Sequence, residues 1–480
     1  MNNHVIEVNK LSLSFTSYGR GLSQISTTVL KELSLSVDAG EVYALVGSSG
    51  SGKSLLAESI LGILPKNAET SGDISFLGKA LGVGELSQLR GKEIVYVPQG
   101  VTNLDPLLKV KPQLLLTKEM EERKSEAFET LELGDEVDGL YPFELSGGMA
   151  RRVLVSTALL VDAKLIVADE PTPGMTREQA RRTLQFFKDM ARDGKAVLLI
   201  THDLDLALEI ADTIGVFHEG SLVEEAKREQ FYGDGEALKS ELARRLWRAL
   251  PQNEFTDALD QIDTSQEHTS LDAAQEHILE ARHISYSYPG QKEPVLKDVS
   301  FSIRSGELVG LYGGSGTGKS TLAQILSGLI KASEGDVLFD GKPVRDMVNS
   351  VANPVQLIYQ HPELAINPRW RMKKVLEEVG QDNKDLLEQA GIKEEWLKRY
   401  SYELSGGELQ RFCVVRALMP STKVLICDEI STMLDAYTQA HIWNVLTSYA
   451  QAHNLSLLII SHNDALLNKL CDKIIKLENL

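Results

Sequence analysis

Lys53-Ser54, Asp169-Glu170 and His202 are residue types that can act on a phosphate chain, and Lys319-Ser320, Asp428-Glu429 and His462 repeat them in the same order. Each lysine closes a glycine-rich stretch, "ALVGSSGSGKSLL" from Ala44 to Leu56 and "GLYGGSGTGKSTL" from Gly310 to Leu322. Both satisfy G-x-x-x-x-G-K-[ST] between a strand-like run and a helix-like run. The first copy reads Gly47, Ser48, Ser49, Gly50, Ser51, Gly52, Lys53 and Ser54; the second reads Gly313, Gly314, Ser315, Gly316, Thr317, Gly318, Lys319 and Ser320. Glycine lets the backbone turn tightly and aim successive N–H groups at one anion. The helix that follows adds its positive end. Such a loop cradles nucleotide phosphates, with Lys53 and Lys319 reaching the terminal phosphates and the Ser54 and Ser320 hydroxyls holding Mg²⁺.

The acidic pairs complete the chemistry. Asp169-Glu170 ends "AKLIVADE" and Asp428-Glu429 ends "TKVLICDE", each Asp 23 residues after a serine, Ser146 or Ser405. A parallel sheet presents ligand-binding side chains at the carboxyl ends of its strands. An Asp there can hold Mg²⁺, and the adjacent Glu can align and deprotonate an attacking water. His202 and His462 close "LLITH" and "LIISH" beside the same place, where they can contact the γ-phosphate. Gln99 in "YVPQG" and Gln360 in "IYQHP" can touch both metal and water. The expected catalytic residues are therefore Glu170, Glu429, His202, His462, Gln99 and Gln360. The expected metal ligands are Ser54, Gln99 and Asp169 in one copy and Ser320, Gln360 and Asp428 in the other.

These residues recur because the chain is a tandem duplication. "LKELSLSVDAGEVYALVG" from Leu30 matches "LKDVSFSIRSGELVGLYG" from Leu296, and "YPFELSGGMARR" from Tyr141 matches "YSYELSGGELQR" from Tyr400. The offset is 266 at Lys53/Lys319 and 259 at Ser146/Ser405, so the copies differ by a few loop residues. "EVYALVG", "KLIVAD" and "AVLLIT", with their counterparts, are continuous apolar runs of the kind found in a parallel sheet covered on both faces. "HVIEVNKLSLSF" and "HILEARHISYSY" alternate instead, as antiparallel strands do. Each copy is expected to be α/β.

At 480 residues the chain exceeds one hydrophobic core. Its net charge of −18 argues against nucleic acid as the main partner. No apolar run reaches the length of a membrane span, and the N-terminus lacks a secretory pattern. Cys413, Cys427 and Cys471 are odd in number and widely spaced, which suggests buried reduced thiols in a cytoplasmic protein. From Ala249 to Ala281 there is no Lys or Arg while Asp and Glu accumulate. The expected organisation is a first domain over 1–250, a solvated acidic linker over 251–277 and a second domain over 278–480. A linker of that length spans roughly 25–30 Å, enough for the halves to fold back and touch.

"LSGG" at Leu145–Gly148 and at Leu404–Gly407 is a second glycine turn before a helix. With the phosphate loops and acidic pairs, it makes the whole chain resemble the ATP-binding cassette family. That resemblance implies tandem P-loop NTPase cassettes, each with a RecA-like parallel-sheet core, an antiparallel β subdomain and a helical subdomain. It also implies that two cassettes pair head to tail, ATP lying between the P-loop of one and Ser146, Gly147 and Gly148, or Ser405, Gly406 and Gly407, of the other. Phe15 and Tyr288 fall where the family stacks an aromatic ring on adenine. The acidic linker and the lack of any CxxC favour a transporter ATPase over a soluble translation or repair factor. "YQHPELAINPRWRM" from Tyr359, "NLDP" from Asn103, "DEISTMLDA" from Asp428 and "LWRALPQNEF" from Leu246 resemble the peptide/nickel importer branch, opine-metallophore members included. In that branch the two ATPases usually occupy separate chains, so fusion is a departure. Energy-coupling-factor vitamin or cobalt importers are the alternative. The implied partners are two permease subunits and, through them, a solute-binding protein, at the cytoplasmic side of the membrane.

One element differs between the copies. The second has Asp435 in "STMLD", where the family uses an Asp to couple facing sites, while the first reads "TPGMT" and places Thr176 there. A hydroxyl lacks the carboxylate's charge and acceptor capacity. Unequal sites are expected, so single-turnover hydrolysis should suffer more from Asp435→Ala than from Thr176→Ala; equal losses would make the two residues equivalent.

Overall fold

The computed structural model describes residues 3–18, 24–48, 50–114, 117–255, 277–290, 293–314, 316–347, 353–432 and 434–477. The chain divides into two units, Met1–Trp247 and Arg248–Leu480, and each is described by itself.

Among the described residues the first copy forms β1 (His4–Tyr18), β2 (Gln24–Asp38), β3 (Val42–Gly47), β4 (Ala68–Phe76), β5 (Lys79–Ala80), β6 (Ile94–Val97), β7 (Leu165–Asp169), β8 (Ala196–Thr201), β9 (Thr213–His218) and β10 (Ser221–Lys227). The alternating N-terminal segment becomes one layer, an antiparallel sheet in the order β2-β1-β4-β5. The continuous apolar runs become another, ordered β10-β9-β3-β8-β7-β6 and parallel except for the β9–β10 hairpin. Every residue of β3, β7 and β8 is buried, as expected of central parallel strands. Leu13, Leu30 and Leu35 of the antiparallel sheet join Leu45, Leu165 and Leu198 of the parallel sheet in one core. Helices Lys118–Thr130 and Gly147–Leu160, contributed by the chain between β6 and β7, form the helical part.

The second copy repeats the plan with β11 (His277–Tyr286), β12 (Leu296–Arg304), β13 (Leu308–Tyr312), β14 (Glu334–Phe339), β15 (Lys342–Pro343), β16 (Val355–Ile358), β17 (Val424–Asp428), β18 (Ser456–Ile460) and β19 (Lys473–Lys476). Its sheets run β12-β11-β14-β15 and β16-β17-β18-β13-β19, the latter wholly parallel. In both copies the sheet order places the end of the acidic strand (β7 or β17) beside the end of the histidine strand (β8 or β18), and the latter beside the phosphate-loop strand (β3 or β13). Non-local strand pairing thus gathers residues more than a hundred positions apart.

Two expectations are modified. Pro251 and Phe255, placed in the acidic linker on composition, are buried, and His277, its last residue, begins β11; linker residues 256–276 lie outside the described residues. Cys413 and Cys427 are buried, whereas Cys471 is only partly so; burial pushes the Cys413 and Cys471 thiols up to about 12. Among the described residues no helix is long and apolar enough to cross a membrane.

The two phosphate loops leave their strands with different clearance. A Cβ on Gly47 would lie 2.1 Å from the Phe217 carbonyl oxygen of β9, backbone that cannot step aside. A Cβ on Gly313 would meet only side chains, the nearest being Thr317 Oγ1 at 3.0 Å. Gly47→Ala should therefore destabilise its unit by roughly 1–3 kcal/mol, the usual cost of overpacking, and Gly313→Ala by less. Urea unfolding of the two variants checks the order.

Candidate functional site

Each phosphate loop is closed by a glycine that caps the following helix in a left-handed conformation, Gly52 at φ 107° before Lys53–Leu61 and Gly318 at φ 94° before Lys319–Leu326. The lysine then folds back over the loop. Lys53 Nζ donates to the carbonyls of Gly47 at 2.6 Å and Ser48 at 2.9 Å. Lys319 Nζ donates to Gly313 at 2.9 Å and Gly314 at 2.8 Å. Both lysines are 6% exposed, held where phosphates are expected to arrive. Ser49 and Ser315 lie outside the described residues.

The acidic pairs are nearly dry. Asp169 is 1% exposed and Asp428 4%. Burial pushes the Asp169 carboxyl up to about 6, against the hydrogen bond it receives from Ser54; burial likewise raises Asp428, against Ser320. In each copy one carboxylate oxygen, Asp169 Oδ1 or Asp428 Oδ1, is buried without a hydrogen-bond partner among the described residues. A hard cation would satisfy such an oxygen, and the serine alongside could supply a second oxygen ligand.

The neighbouring glutamates sit in left-handed backbone, Glu170 at φ 49° and Glu429 at φ 48°. Strain of this kind persists where the surroundings over-determine it. Here the glutamate N–H donates to the adjacent histidine strand, to the Ile200 carbonyl at 2.9 Å and to the Ile460 carbonyl at 3.0 Å. Burial raises both glutamate carboxyls, but neighbouring groups outweigh it: the His202 ring, Lys53 and Arg151 hold Glu170 below its ordinary value, and the His462 ring and Lys319 hold Glu429 down. Each site thus pairs a carboxyl pushed up with one held down, and the glutamate held down stays ionised, as an acceptor of a proton must be.

The histidines are fixed locally. Thr201 Oγ1 accepts from Asp203 N at 3.0 Å, and Asp203 caps helix Leu204–Ile210 by accepting from Leu206 N at 3.0 Å. Ser461 and Asn463 repeat this around His462. The contacts to glutamate nonetheless differ. His202 Nδ1 lies 2.9 Å from Glu170 Oε1, whereas His462 Nδ1 lies 3.7 Å from Glu429 Oε1. Glu429 is instead met by Gln360 Nε2 at 3.1 Å and Lys319 Nζ at 3.4 Å. Gln99 is exposed, and its side chain makes no hydrogen bond to Glu170 among the described residues. The two glutamine side chains therefore stand in different surroundings.

Ser146 and Ser405 cap helices Gly147–Leu160 and Gly406–Ala417 by accepting from Met149 N at 3.2 Å and Glu408 N at 3.3 Å. Gly147 and Gly406 are exposed, Gly148 and Gly407 half-buried, and a Cβ at either exposed glycine would meet nothing within 4 Å. The helix starts are therefore open to an anion. Thr176 and Asp435 are also helix caps. Thr176 accepts from Gln179 N at 3.2 Å, and Asp435 accepts from Thr438 N at 3.0 Å and from its hydroxyl at 2.8 Å. Tyr288 is partly exposed and shares a 2.9 Å hydrogen bond with Thr321 beside the second phosphate loop, while Phe15 packs, half-buried, against the first copy's core.

A family model described as ABC transporter matches residues 30–173 and 296–432, the stretches that carry both phosphate loops, both LSGG turns and both acidic pairs. The chain belongs to the ABC transporter family. It is an ATPase of tandem cassettes. It is 30% identical over 525 residues to an uncharacterized ABC transporter ATP-binding protein, YejF, of Escherichia coli strain K12, covering 99% of this chain and 94% of that protein. It is also 30% identical to the glutathione import ATP-binding protein GsiA of Pectobacterium atrosepticum, over 98% of this chain and 84% of that one. These matches run across both cassettes, so two cassettes on one chain are no departure among its relatives. Among solved structures it is similar to the archaeal ribosome recycling factor aABCE1, in complex with the stalk protein aP1: TM-score 0.67, 20% identity, 96% of this chain and 87% of that one. At that identity the likeness shows the fold alone.

The ATPase sites also contain groups that the motifs do not point to. The Tyr96 hydroxyl donates to Asp169 Oδ2 at 3.3 Å, and the buried Arg151 faces both members of the first acidic pair. A direct comparison of the copies is the signal that finds them, because Leu357 and Gln410 stand at the corresponding places in the second cassette. Changing Glu170 and Glu429 together to Gln should lower ATP turnover by roughly 10²–10⁴, the usual worth of a general base, with ATP still bound. Unchanged turnover would remove both glutamates from catalysis.

Proposed function

We propose that this chain is the ATP-hydrolysing subunit, both cassettes in one polypeptide, of a membrane importer for a small peptide-like or metal-chelate solute. The observation that carries this reading is similarity along 98% of the chain to a protein named as a glutathione import ATP-binding protein. The importer-like segment "YQHPELAINPRWRM" after Gln360 supports it. The fold likeness to a ribosome recycling factor at 20% identity carries no competing function.

In this reading the cassettes pair head to tail. One ATP is handled by Lys53, Asp169, Glu170 and His202 with Ser405, Gly406 and Gly407. The other is handled by Lys319, Asp428, Glu429 and His462 with Ser146, Gly147 and Gly148. Lys53 and Lys319 neutralise the terminal phosphates, and the open helix starts at LSGG bind phosphate from the opposite side. Glu170 and Glu429 orient the attacking water and accept its proton, His202 and His462 hold the γ-phosphate, and Phe15 and Tyr288 stack on adenine. Mg²⁺ would be held by Ser54, Asp169 and Gln99, or by Ser320, Asp428 and Gln360, and supplies charge neutralisation on the phosphates. The unpartnered Asp169 and Asp428 oxygens fit that role. The working partners are two permease subunits at the cytoplasmic face of the membrane and, through them, a solute-binding protein. Nucleic acid is not among them.

Capture of the tagged chain from membranes of its own cell should bring down two multi-span permease subunits. In proteoliposomes those permeases, with the loaded solute-binding protein, should raise ATP turnover several-fold. Recovery of ribosomes without any membrane protein would overturn the importer assignment.

A further inference from the structure

The two cassettes differ in how the glutamine-bearing loop is attached to the helix that follows LSGG. In the first, Arg151 of helix Gly147–Leu160 is 8% exposed, and its Nη1 donates to two consecutive carbonyls, Pro98 at 3.1 Å and Gln99. Those carbonyls begin the loop that follows β6, which then turns through Val101–Asn103 with the Asn103 and Leu104 amides bonded back to Gly100 and Val101. In the second cassette the corresponding residue is Gln410, 2% exposed, whose Nε2 has no hydrogen-bond partner among the described residues. The two loops end in different places. Where the arginine grips the glutamine's own carbonyl, the Gln99 side chain is exposed; where the Gln410 amide does not, Gln360 reaches Glu429 at 3.1 Å.

We propose that Arg151 is a positioning residue that fastens the first cassette's glutamine loop to its LSGG helix, keeping Gln99 away from Glu170 and making the first ATP site the slower one. A buried guanidinium suits this task. It presents several donors in a rigid plane, so one side chain can grip two adjacent carbonyls, which a glutamine amide in the same place does not do here. Hydrogen bonds from a charged group are also stronger than those from a neutral amide. The loop is thereby held at the glutamine itself, whereas in the second cassette the helix holds it only further on, Arg416 Nη1 donating to the Ala365 carbonyl at 2.9 Å. Arg151 touches none of the reacting atoms; it acts through Gln99, and because its charge also bears on Glu170, amide exchange in the loop is the readout that isolates the clamp. The proposal rests on the assignment of Glu170 as a catalytic base, and its test separates the two.

Arg151→Gln, Arg151→Lys and Gln410→Arg in the full-length chain provide that test. Amide hydrogen exchange of the nucleotide-free protein should quicken at Asn103 and Leu104 in Arg151→Gln, while the sheet core stays protected. Arg151→Lys should keep the wild-type rate, because an ammonium can still donate to both carbonyls. In ATPase assays Arg151→Gln should raise kcat roughly two- to tenfold, the worth of one hydrogen bond gained at the base, with KM unchanged within about twofold. Gln410→Arg should lower kcat. Unaltered exchange at Asn103 and Leu104, or faster exchange with kcat unchanged or reduced, would overturn the positioning role. If Arg151→Gln does not fold, Arg151→Lys and Gln410→Arg still decide: wild-type kcat in Gln410→Arg overturns the proposal. Full turnover in the Glu170→Gln/Glu429→Gln double variant would instead refute the catalytic base, leaving the exchange result to judge the clamp alone.

Discussion

Two carboxylates side by side at the dry end of a parallel strand are the constraint around which each cassette is arranged. Burial pushes both toward the neutral form, and their mutual repulsion adds to that. The first member gives way, its carboxyl raised by burial in Asp169 and Asp428. The second does not, because a histidine from the adjacent strand and a lysine from the phosphate loop together outweigh burial. Those groups arrive only if the acidic strand, the histidine strand and the phosphate-loop strand lie in adjacent register, as both sheets have them. The backbone is held by the same arrangement. The left-handed glutamate is tied to the histidine strand through its N–H, so the turn carrying the acids cannot relax without breaking a sheet-edge hydrogen bond. Polar groups of this kind weaken a fold, and the apolar cores behind them supply the stability that offsets them.

Because the chain meets this constraint twice, it shows two ways of meeting it. The first cassette relies on a close histidine and a buried arginine, with a tyrosine donating to the aspartate. The second relies on lysine and glutamine contacts to the glutamate, with the histidine further off. Arg151 has Gln410 as its counterpart, Tyr96 has Leu357, and the Phe15 ring packed on a core has the Tyr288 hydroxyl bonded to Thr321. In each case a polar group in one cassette is answered by a group in the same cassette. Each site is therefore internally consistent while differing from its twin.

Much of the architecture could be read from the residues, and the limits have a physical cause. The run "AVLLIT" coincides with β8, and the alternation from His4 coincides with the antiparallel β1, because side-chain burial imposes a periodicity that local sequence records. The phosphate loops were equally legible, since their glycines are required by backbone geometry. What could not be read were contacts made across many residues of chain. Tyr96 meets Asp169 73 positions away, and Arg151 meets Gln99 52 positions away. Gln99 and Gln360 share a motif context but not a conformation, because the residue that sets the difference lies on another element. The burial of Phe255 was hidden by its acidic neighbours, which dominate composition without deciding where a single ring packs.

The Thr176/Asp435 pair shows how one position can serve fold and function separately. Both side chains do the same structural work at a helix start, accepting the N–H three residues on, and Thr176 is assisted by Gln179, whose side chain accepts from Thr176 N at 3.2 Å. Threonine is a competent cap, so the exchange leaves the helix intact. The carboxylate's charge is a separate matter. Asp435 lies within the electrostatic reach of Arg411, whose Nη1 bonds the Ala390 carbonyl at 2.6 Å. The matching arginine of the first cassette, Arg152, donates to the equivalent carbonyl, that of Leu131, at 3.1 Å, but has Glu132 at 3.9 Å. A carboxylate near this arginine is thus kept in both cassettes but moved to the helical part in the first. Capping fixes the fold at this turn whichever residue is present, and the position of the charge is left free to differ between the two sites.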